Sequence, residues 1–227
     1  MTDLATGLYA HGAIMAALLQ RSKTNQGQRI SCDLLSTQIA TLVNIGSNYI
    51  NSGKEATRWG TAHETIVPYE AFETRDNRWI TIGTGNDQLY DSLCQALELP
   101  ELQTDKDERY SSNEKRVQNR LPLLQKIRNR MMEKSCDEWL EIFSEYKFPF
   151  GPINDMEHAF SDPQVQHNKM VQSIGPYRFV GPPVTYSDIT NIPRRPPPLL
   201  GEHTRSILQN VLKLSNDEID ALYSKKI

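Results

Sequence analysis

The sequence has few cysteines, little excess charge and no long run of apolar residues. The three cysteines, Cys32, Cys94 and Cys136, are odd in number and lie inside apparent strand or helix segments. This pattern predicts reduced, buried packing residues of an intracellular protein. The net charge of −3 provides no electrostatic footprint for nucleic acid or an anionic membrane. No apolar run approaches transmembrane length, and the first residues lack the pattern expected of a signal or transit peptide.

Motifs for metal or nucleotide binding are also missing. His158 and His167 have no cysteine or acidic partner at ligand spacing, so no metal site is predicted. We find no Walker loop, no dinucleotide-binding glycine fingerprint and no Gly-x-Ser-x-Gly elbow. His11, on the first predicted helix, and His203, just ahead of a later one, are interpreted as structural residues.

The composition is that of a globular protein, with 227 residues of which 38% are hydrophobic and 23% charged. This length allows one large or two small domains. Periodicity and turn residues predict a mixed series of helices and strands. The expected elements are a helix over residues 7–22, a strand over 28–34, a helix over 35–51, a strand pair over 69–74 and 79–84, a helix over 87–97 capped by Asn86, a long helix over 113–134 broken near Pro122, a helix over 136–146, a rigid turn over 148–152, short helices over 155–161 and 162–168, a strand pair over 170–174 and 177–180, an extended proline-rich stretch over 182–198, and helices over 205–213 and 215–223.

The most informative segment lies at the start of the chain. Asp3 comes just ahead of a strongly apolar helix and is followed by Thr6 and Gly7. Free backbone N–H groups and the helix dipole favour a carboxylate at such a position, and by position alone Asp3 is an N-cap. A second cluster follows the helix and consists of Lys23, Thr24, Gly27 and Gln28.

Together these residues resemble the signature of the class III CoA-transferases, which is D-x-x-T-G, a small-residue apolar helix and then K-T-G-x-G-Q. Asn25 replaces the usual glycine at the helix exit, and asparagine also tolerates the left-handed conformation that is needed there. Residues 58–63 and 68–72 resemble the loop and first strand of the family's small domain, and residues 197–204 resemble the turn before its C-terminal helix. The resemblance therefore covers the whole chain.

The resemblance implies an α/β fold of the class III CoA-transferase type, with part of the large Rossmann-like domain plus an α+β small domain. Residues 1–52 are expected in the large domain and 53–181 in the small domain with its entry loop. Residues 182–227 are expected to return to the large domain through a proline-rich connector and C-terminal helices. Since family members have a long nucleotide-binding half before this point, we expect a C-terminal portion of a longer protein.

The resemblance also implies the transfer of CoA from an acyl-CoA to a carboxylic acid, with coenzyme A as co-substrate and no permanently bound cofactor. Asp3 is the implied nucleophile, which would carry an aspartyl-CoA covalent intermediate. Gly60 is the nearest candidate for backbone donors to an oxyanion. His63 and Arg58 are candidate substrate contacts, Arg58 through bidentate pairing with a carboxylate, although a solvated surface arginine is at least as good an interpretation. Overall similarity favours succinyl-CoA and a dicarboxylate such as glutarate.

The implied partners are the two substrates and a second copy of the chain in an interlocked homodimer, with no nucleic acid and no membrane, and the implied location is mitochondrial. Two alternatives stay open. One is a non-catalytic truncated form that acts only by pairing with the full-length chain. The other is an acyl-CoA racemase of the same superfamily, whose members place Gly-Gly where this chain has Thr6-Gly7, so Thr6 favours transfer.

Overall fold

The computed structural model describes residues 1–225, which form two units. The first unit comprises Met1–Ala71 and Ile82–Ile127, and the second comprises Phe72–Thr81 and the described chain from Arg128 onward. Within the described part of the chain, no helix combines the length and apolar character needed to cross a bilayer. The expected division at residues 52 and 181 stays a prediction.

The N-terminal segment is helical, with α1 at Thr2–Thr24, α2 at Leu34–Ala40 and α3 at Val43–Ser52. Asn25 ends α1 in the left-handed conformation, with φ 54°, as its side chain predicts. Asp33 caps α2 by accepting the backbone N–H of Ser36 at 2.8 Å. Val43 has a positive φ of 43°, where the chain turns between α2 and α3.

Three expectations for this segment are wrong. The first helix begins at Thr2 rather than near residue 7. The single helix expected over residues 35–51 is broken into α2 and α3. The strand expected over residues 28–34 is irregular chain that leads into α2, because a strand needs a neighbour for its ladder and this segment pairs with none among residues 1–225.

The central part contains β1 at Tyr69–Glu73, β2 at Trp79–Gly83 and β3 at Phe150–Ile153, which form one sheet in the order β1-β2-β3. The β1–β2 pair confirms the expected hairpin. β3 replaces the rigid turn that was expected over residues 148–152. Its Pro152 is tolerated because β3 lies at the sheet edge, where a missing N–H costs no ladder bond to an outer strand.

The helices of this part are α4 at Asp87–Ala96, α5 at Asn113–Gln118, α6 at Arg120–Met131 and α7 at Cys136–Ser144, with 3-10 turns at Pro100–Leu102 and Glu108–Tyr110. Asn86 caps α4, as predicted, by accepting the N–H of Leu89 at 2.9 Å. The long helix breaks at Asn119 rather than at Pro122. Pro122 lies in the first turn of α6, where its missing N–H costs no intrahelical hydrogen bond.

The remaining elements are α8 at Met156–Ser161, α9 at Pro163–His167, β4 at Val171–Ile174, β5 at Tyr177–Val180, α10 at Thr204–Asn210 and α11 at Asn216–Ser224. β4 and β5 pair antiparallel, with Val171 opposite Val180. The proline-rich stretch has no helix or strand, as expected. Ser215 and Glu218 form the capping box predicted for the last helix.

Buried side chains lie mainly between residues 67 and 148. In the first unit the buried apolar residues include Val67, Ile82, Tyr90, Leu93, Cys94, Leu97, Leu102, Tyr110, Leu123 and Ile127. In the second unit they include Phe72, Ile80, Met131, Cys136, Trp139, Phe143 and Phe148. Cys94 and Cys136 are therefore buried as predicted, whereas Cys32 is exposed and the prediction for it is wrong.

Candidate functional site

Asp3 lies in the first turn of α1 with an exposed side chain. The N-cap of α1 is Met1, which has no side-chain cap, so the interpretation of Asp3 as an N-cap is wrong. The first backbone bond of the helix runs from Ala5 N to the Met1 carbonyl at 3.0 Å. Within residues 1–225 the Asp3 carboxylate has no hydrogen bond or ion pair, and the positive end of the α1 dipole favours its charge.

The start of α1 contacts the chain around residues 32–38. The Thr6 hydroxyl donates to the Thr2 carbonyl at 2.8 Å, and the Cys32 thiol approaches the Thr6 carbonyl at 3.7 Å. The Thr2 hydroxyl donates to the side-chain oxygen of Gln38. These contacts place α1 beside α2, and the helical geometry of α1 places the motif residue Thr6 about one turn from Asp3.

The second carboxylate of this neighbourhood, Asp33, is already occupied. It accepts the backbone N–H and the hydroxyl of Ser36, both at 2.8 Å. These bonds, the backbone one first, lower the pKa of Asp33 below its usual range. Asp3 and Asp33 therefore differ in chemistry, because Asp33 is committed to capping α2 while Asp3 faces solvent with its oxygens unpaired in the described structure.

His63 has a defined orientation. Its ring stacks on Tyr69, with centroids 5.5 Å apart and an interplanar angle of 12°, and its backbone N–H donates to the Tyr69 carbonyl at 2.8 Å. Nδ1 accepts the backbone N–H of Thr65 at 3.1 Å. A neutral ring that accepts at Nδ1 carries its proton on Nε2, which can then donate to a substrate oxygen.

Gly60 and Arg58 are open to solvent. Gly60 has a φ of +65°, which favours glycine, and apart from its own atoms and its two chain neighbours no heavy atom of the described residues lies within 4 Å of the place where a Cβ would be. A substrate can therefore approach its backbone closely. Arg58 is exposed, and the described residues offer its guanidinium no partner.

Three side chains of α5 and α6 hold the loop that follows Gly60. Asn113 donates to the Thr65 carbonyl at 2.8 Å and accepts the Val67 N–H at 3.1 Å. The fully buried Arg116 donates through Nε to the Val67 carbonyl at 2.9 Å. Arg120 donates to the Glu64 carbonyl. Hydrogen bonds from α5 and α6 therefore hold the loop at Glu64, Thr65 and Val67.

Arg116 also ties this anchor to its surroundings. Its Nη1 donates to the Tyr110 carbonyl at 3.1 Å and its Nη2 to Asp87 at 2.7 Å, while its guanidinium lies 4.3 Å from the ring centre of Tyr90. All three kinds of guanidinium nitrogen are used, which satisfies a charge that would otherwise be costly to bury.

Arg58, Gly60 and His63 lie on one loop, and the described structure shows no direct contact between them and Asp3. Among residues 1–225 no hydrogen bond, ion pair or ring contact joins Asp3 to Arg58, Gly60 or His63. The site that combines them stays a prediction. Sequence reasoning missed the anchors Asn113, Arg116 and Arg120; their helical spacing was visible, but nothing local shows that they reach a loop some 50 residues earlier.

Other potential sites are poor. No group of three or more metal-ligating side chains occurs among the described residues. An open hollow lined by residues such as Pro198, Leu199, His203 and Ile207 is mainly apolar, and its Glu202 carboxylate is occupied by the Leu199 N–H at 2.7 Å.

Comparison with known proteins adds a family match. The model of CoA-transferase family III matches residues 1–204. The succinyl-CoA:glutarate CoA-transferase of Homo sapiens is 46% identical over 99% of this chain and 52% of that protein. The succinate–glutarate CoA-transferase of Agrobacterium fabrum is 33% identical over 92% of this chain and 52% of that protein. The chain thus spans about half the length of the curated relatives it matches.

Solved structures agree on the fold. A CaiB/BaiF family protein from Brucella suis superposes with a TM-score of 0.78 at 33% identity, over 92% of this chain and 55% of that one. A protein from Mycobacterium tuberculosis superposes with a TM-score of 0.76 at 20% identity, over 90% of this chain and 52% of that one, which is a likeness of fold alone.

Proposed function

The chain belongs to CoA-transferase family III, and from that premise we propose that it carries the reacting part of an enzyme that moves CoA from an acyl-CoA to a carboxylic acid. The observation that supports this proposal most is the exposed, unpaired Asp3 carboxylate at the start of α1, beside the neighbouring Asp33 that is used as a cap. A carboxylate nucleophile needs no general base, because it is an anion at neutral pH.

The proposed donor is succinyl-CoA and the proposed acceptor a dicarboxylate such as glutarate. This choice follows the names of two relatives, at 46% and 33% identity, which both refer to succinyl or succinate and to glutarate. Exposed Arg58 offers a fork of donors for the distal carboxylate of such a substrate.

The proposed reaction balances without a redox partner. An Asp3 oxygen attacks the thioester carbon, the C–S bond breaks, and the sulfur leaves with the electron pair as CoA thiolate. The thiolate attacks the Asp3 carbonyl carbon of the mixed anhydride and expels the donor acid as a carboxylate, which leaves CoA on Asp3. The acceptor carboxylate then repeats these two steps in reverse, so that the Asp3 carboxylate is regenerated.

Each tetrahedral step places negative charge on a carbonyl oxygen. We assign donors for that charge to the backbone around Gly60, where the position of a side chain is open, and we assign His63 Nε2 to the carboxylate of the acceptor acid. The loop anchors on α5 and α6 would keep these donors in place before substrate binds, which is the condition for effective oxyanion stabilisation.

The test uses Asp3→Ala in the full-length protein, with Glu55→Gln as a matched loss of an exposed carboxylate. We expect Asp3→Ala to reduce label transfer from radiolabelled succinyl-CoA to glutarate by at least about 1,000-fold, and Glu55→Gln to change it less than about twofold. Mass spectrometry after acyl-CoA treatment should locate CoA on Asp3, and hydroxylamine should release it. An activated ester on another residue contradicts the proposal.

A racemase is separated by the same assay. Deuterium incorporated from solvent beside the thioester carbonyl, with no transfer to glutarate, would favour proton abstraction over transfer. We expect transfer without such incorporation.

A second candidate function, action only by pairing, is favoured by the exposure of the N-terminal helices. α1 and α3 contain no buried residue, and such apolar faces are typical of association sites. The 227-residue chain would be assayed alone and then with the full-length protein, with sedimentation to measure the homodimer that we propose. Activity of the chain alone contradicts this second function.

We also propose a mitochondrial location, and fractionation of cells that express the protein tests it.

A further inference from the structure

Residues 60–63 contain two candidate substrate residues, Gly60 and His63. The side chain of Arg120 contacts the residues on both sides of this segment. Arg120 is the first residue of α6 and is half-buried. It contacts Trp59, immediately before this segment, and Glu64, immediately after it. One guanidinium therefore spans both ends of the segment.

The two contacts use different parts of the guanidinium. Its central carbon lies 4.6 Å from the ring centre of Trp59, which is within the range of a cation–π interaction. An Nη2 proton is donated at the same time to the Glu64 carbonyl. A planar guanidinium can stack through its face while it donates from its edge, whereas a lysine ammonium is a point charge that cannot do both in this geometry.

Between these two contacts, β1 forms hydrogen bonds with the segment 60–63 at two points. The Ala71 N–H donates to the Thr61 hydroxyl at 3.2 Å, and His63 N–H donates to the Tyr69 carbonyl at 2.8 Å. At the upstream end the Ala62 N–H donates to the Trp59 carbonyl at 3.1 Å, and Arg120 of α6 contacts the Trp59 ring. Loss of the Arg120 contact should loosen this end, while the bonds to β1 and those of Asn113 and Arg116 stay in place.

We propose that Arg120 is a positioning residue for substrate binding, which acts by holding residues 60–63 so that His63 presents Nε2 to the carboxylic acid. This inference rests on the proposed function for its consequence, although the restraint itself is a property of the fold. Without Arg120 the segment has to be ordered when substrate binds, and that ordering lowers affinity.

The first experiment measures the restraint without any assay of activity. In the full-length protein, hydrogen–deuterium exchange of a peptide covering residues 59–66 is compared for wild type, Arg120→Gln and Lys126→Gln, which removes an exposed charge from the same helix. We expect at least about tenfold faster exchange in Arg120→Gln at the Ala62 amide, which donates to the Trp59 carbonyl at 3.1 Å, and no change in Lys126→Gln. Unchanged exchange in Arg120→Gln overturns the inference.

A second variant covers the case in which Arg120→Gln fails to fold. Trp59→Leu removes the ring and leaves the guanidinium bound to Glu64, and since Trp59 is partly exposed we expect the fold to persist. The Ala62 amide should exchange faster in this variant also. Wild-type exchange there, in a folded Trp59→Leu protein, overturns the inference.

The kinetic readout distinguishes positioning from general structural damage. Arg120→Gln should raise the KM for the acceptor acid about tenfold while kcat falls less than about threefold, and Arg120→Lys should restore part of the loss because one contact is regained. A fall in kcat with unchanged KM overturns the inference. If wild type transfers no CoA, the proposed function fails, and the exchange experiment still decides whether Arg120 holds the segment.

Discussion

The N-terminal helices and the central part of the chain use similar apolar residues with opposite results. Leu8 of α1 is 73% exposed, whereas Leu93 of α4 is fully buried. α1 and α3 bury no residue, and α2 buries only Thr37. Helical periodicity therefore identifies a face that can be buried, but burial itself needs a surface opposite that face.

The difference has a functional side. The central part is where backbone and side-chain hydrogen bonds hold the loop with His63 in place. The N-terminal part carries Asp3 on a helix whose apolar face is uncovered in the described structure. The candidate nucleophile is thus presented by the less buried region and the candidate substrate contacts by the better anchored one.

The largest expected effect comes from deleting the same side chain in each region. Leu93→Ala should lower the free energy of unfolding by about 2–5 kcal/mol, because it removes buried methyl groups and leaves a cavity. Leu8→Ala should change it by less than about 0.5 kcal/mol. Urea unfolding of both variants measures the difference, and a cost at Leu8 similar to that at Leu93 would mean that the face of α1 is covered in solution.

The cysteines give the next largest contrast. Burial raises the pKa of Cys94 to about 12 and also raises that of Cys136, so both thiols stay protonated and enclosed at neutral pH. Cys32 is exposed. We expect a thiol reagent such as dithionitrobenzoate to modify Cys32 at least about 100-fold faster than the other two.

A Cys32→Ser variant is the control, and it should lose the fast phase. Equal rates for all three thiols would contradict the comparison. If Cys32 becomes protected when the full-length protein is added, the N-terminal region is covered on association, and the contrast with the central part is then a property of the isolated chain.

A smaller effect, of the opposite sign, is expected at Tyr110. Its ring is fully buried, and its hydroxyl has no hydrogen-bond partner among the described residues. Tyr110→Phe should therefore leave the free energy of unfolding unchanged or raise it by up to about 1 kcal/mol, since it removes an unpaired polar group. Tyr9→Phe, on the exposed face of α1, is the matched control and should have no effect. A loss of more than about 1 kcal/mol in Tyr110→Phe would show that the hydroxyl is satisfied.

The smallest effect is the pH dependence of a helix cap. The pKa of Asp33 is lowered by its bonds to Ser36, so its contribution to α2 is present above the ordinary pKa and is lost as the pH falls through the lowered one. The Ser36 amide resonance should therefore shift as the pH falls below the ordinary pKa of an aspartate. The amide of Leu89, capped by neutral Asn86 in the central part, should not. A Ser36 amide that does not titrate contradicts the cap.

Local signals predicted much of this architecture. The β1–β2 hairpin, the β4–β5 pair, the Asn86 cap and the Ser215–Glu218 capping box all depend on neighbouring residues, and all are confirmed. The failures involve distant partners. Residues 28–34 alternate like a strand but have no strand beside them in the described part of the chain, and Pro152, which is typical of a turn, lies in an edge strand.

The family and the candidate nucleophile followed from the sequence by itself, because the motif around Asp3 is contiguous and its residue types carry the chemistry. The tertiary structure decided that Asp33 caps a helix while Asp3 does not, and that Cys32 is exposed. It also decided that Arg120 contacts the residues on both sides of the segment 60–63. Each of these depends on which surfaces and backbone groups meet in space. A one-dimensional pattern specifies what a side chain can do, and only packing specifies what it has within reach.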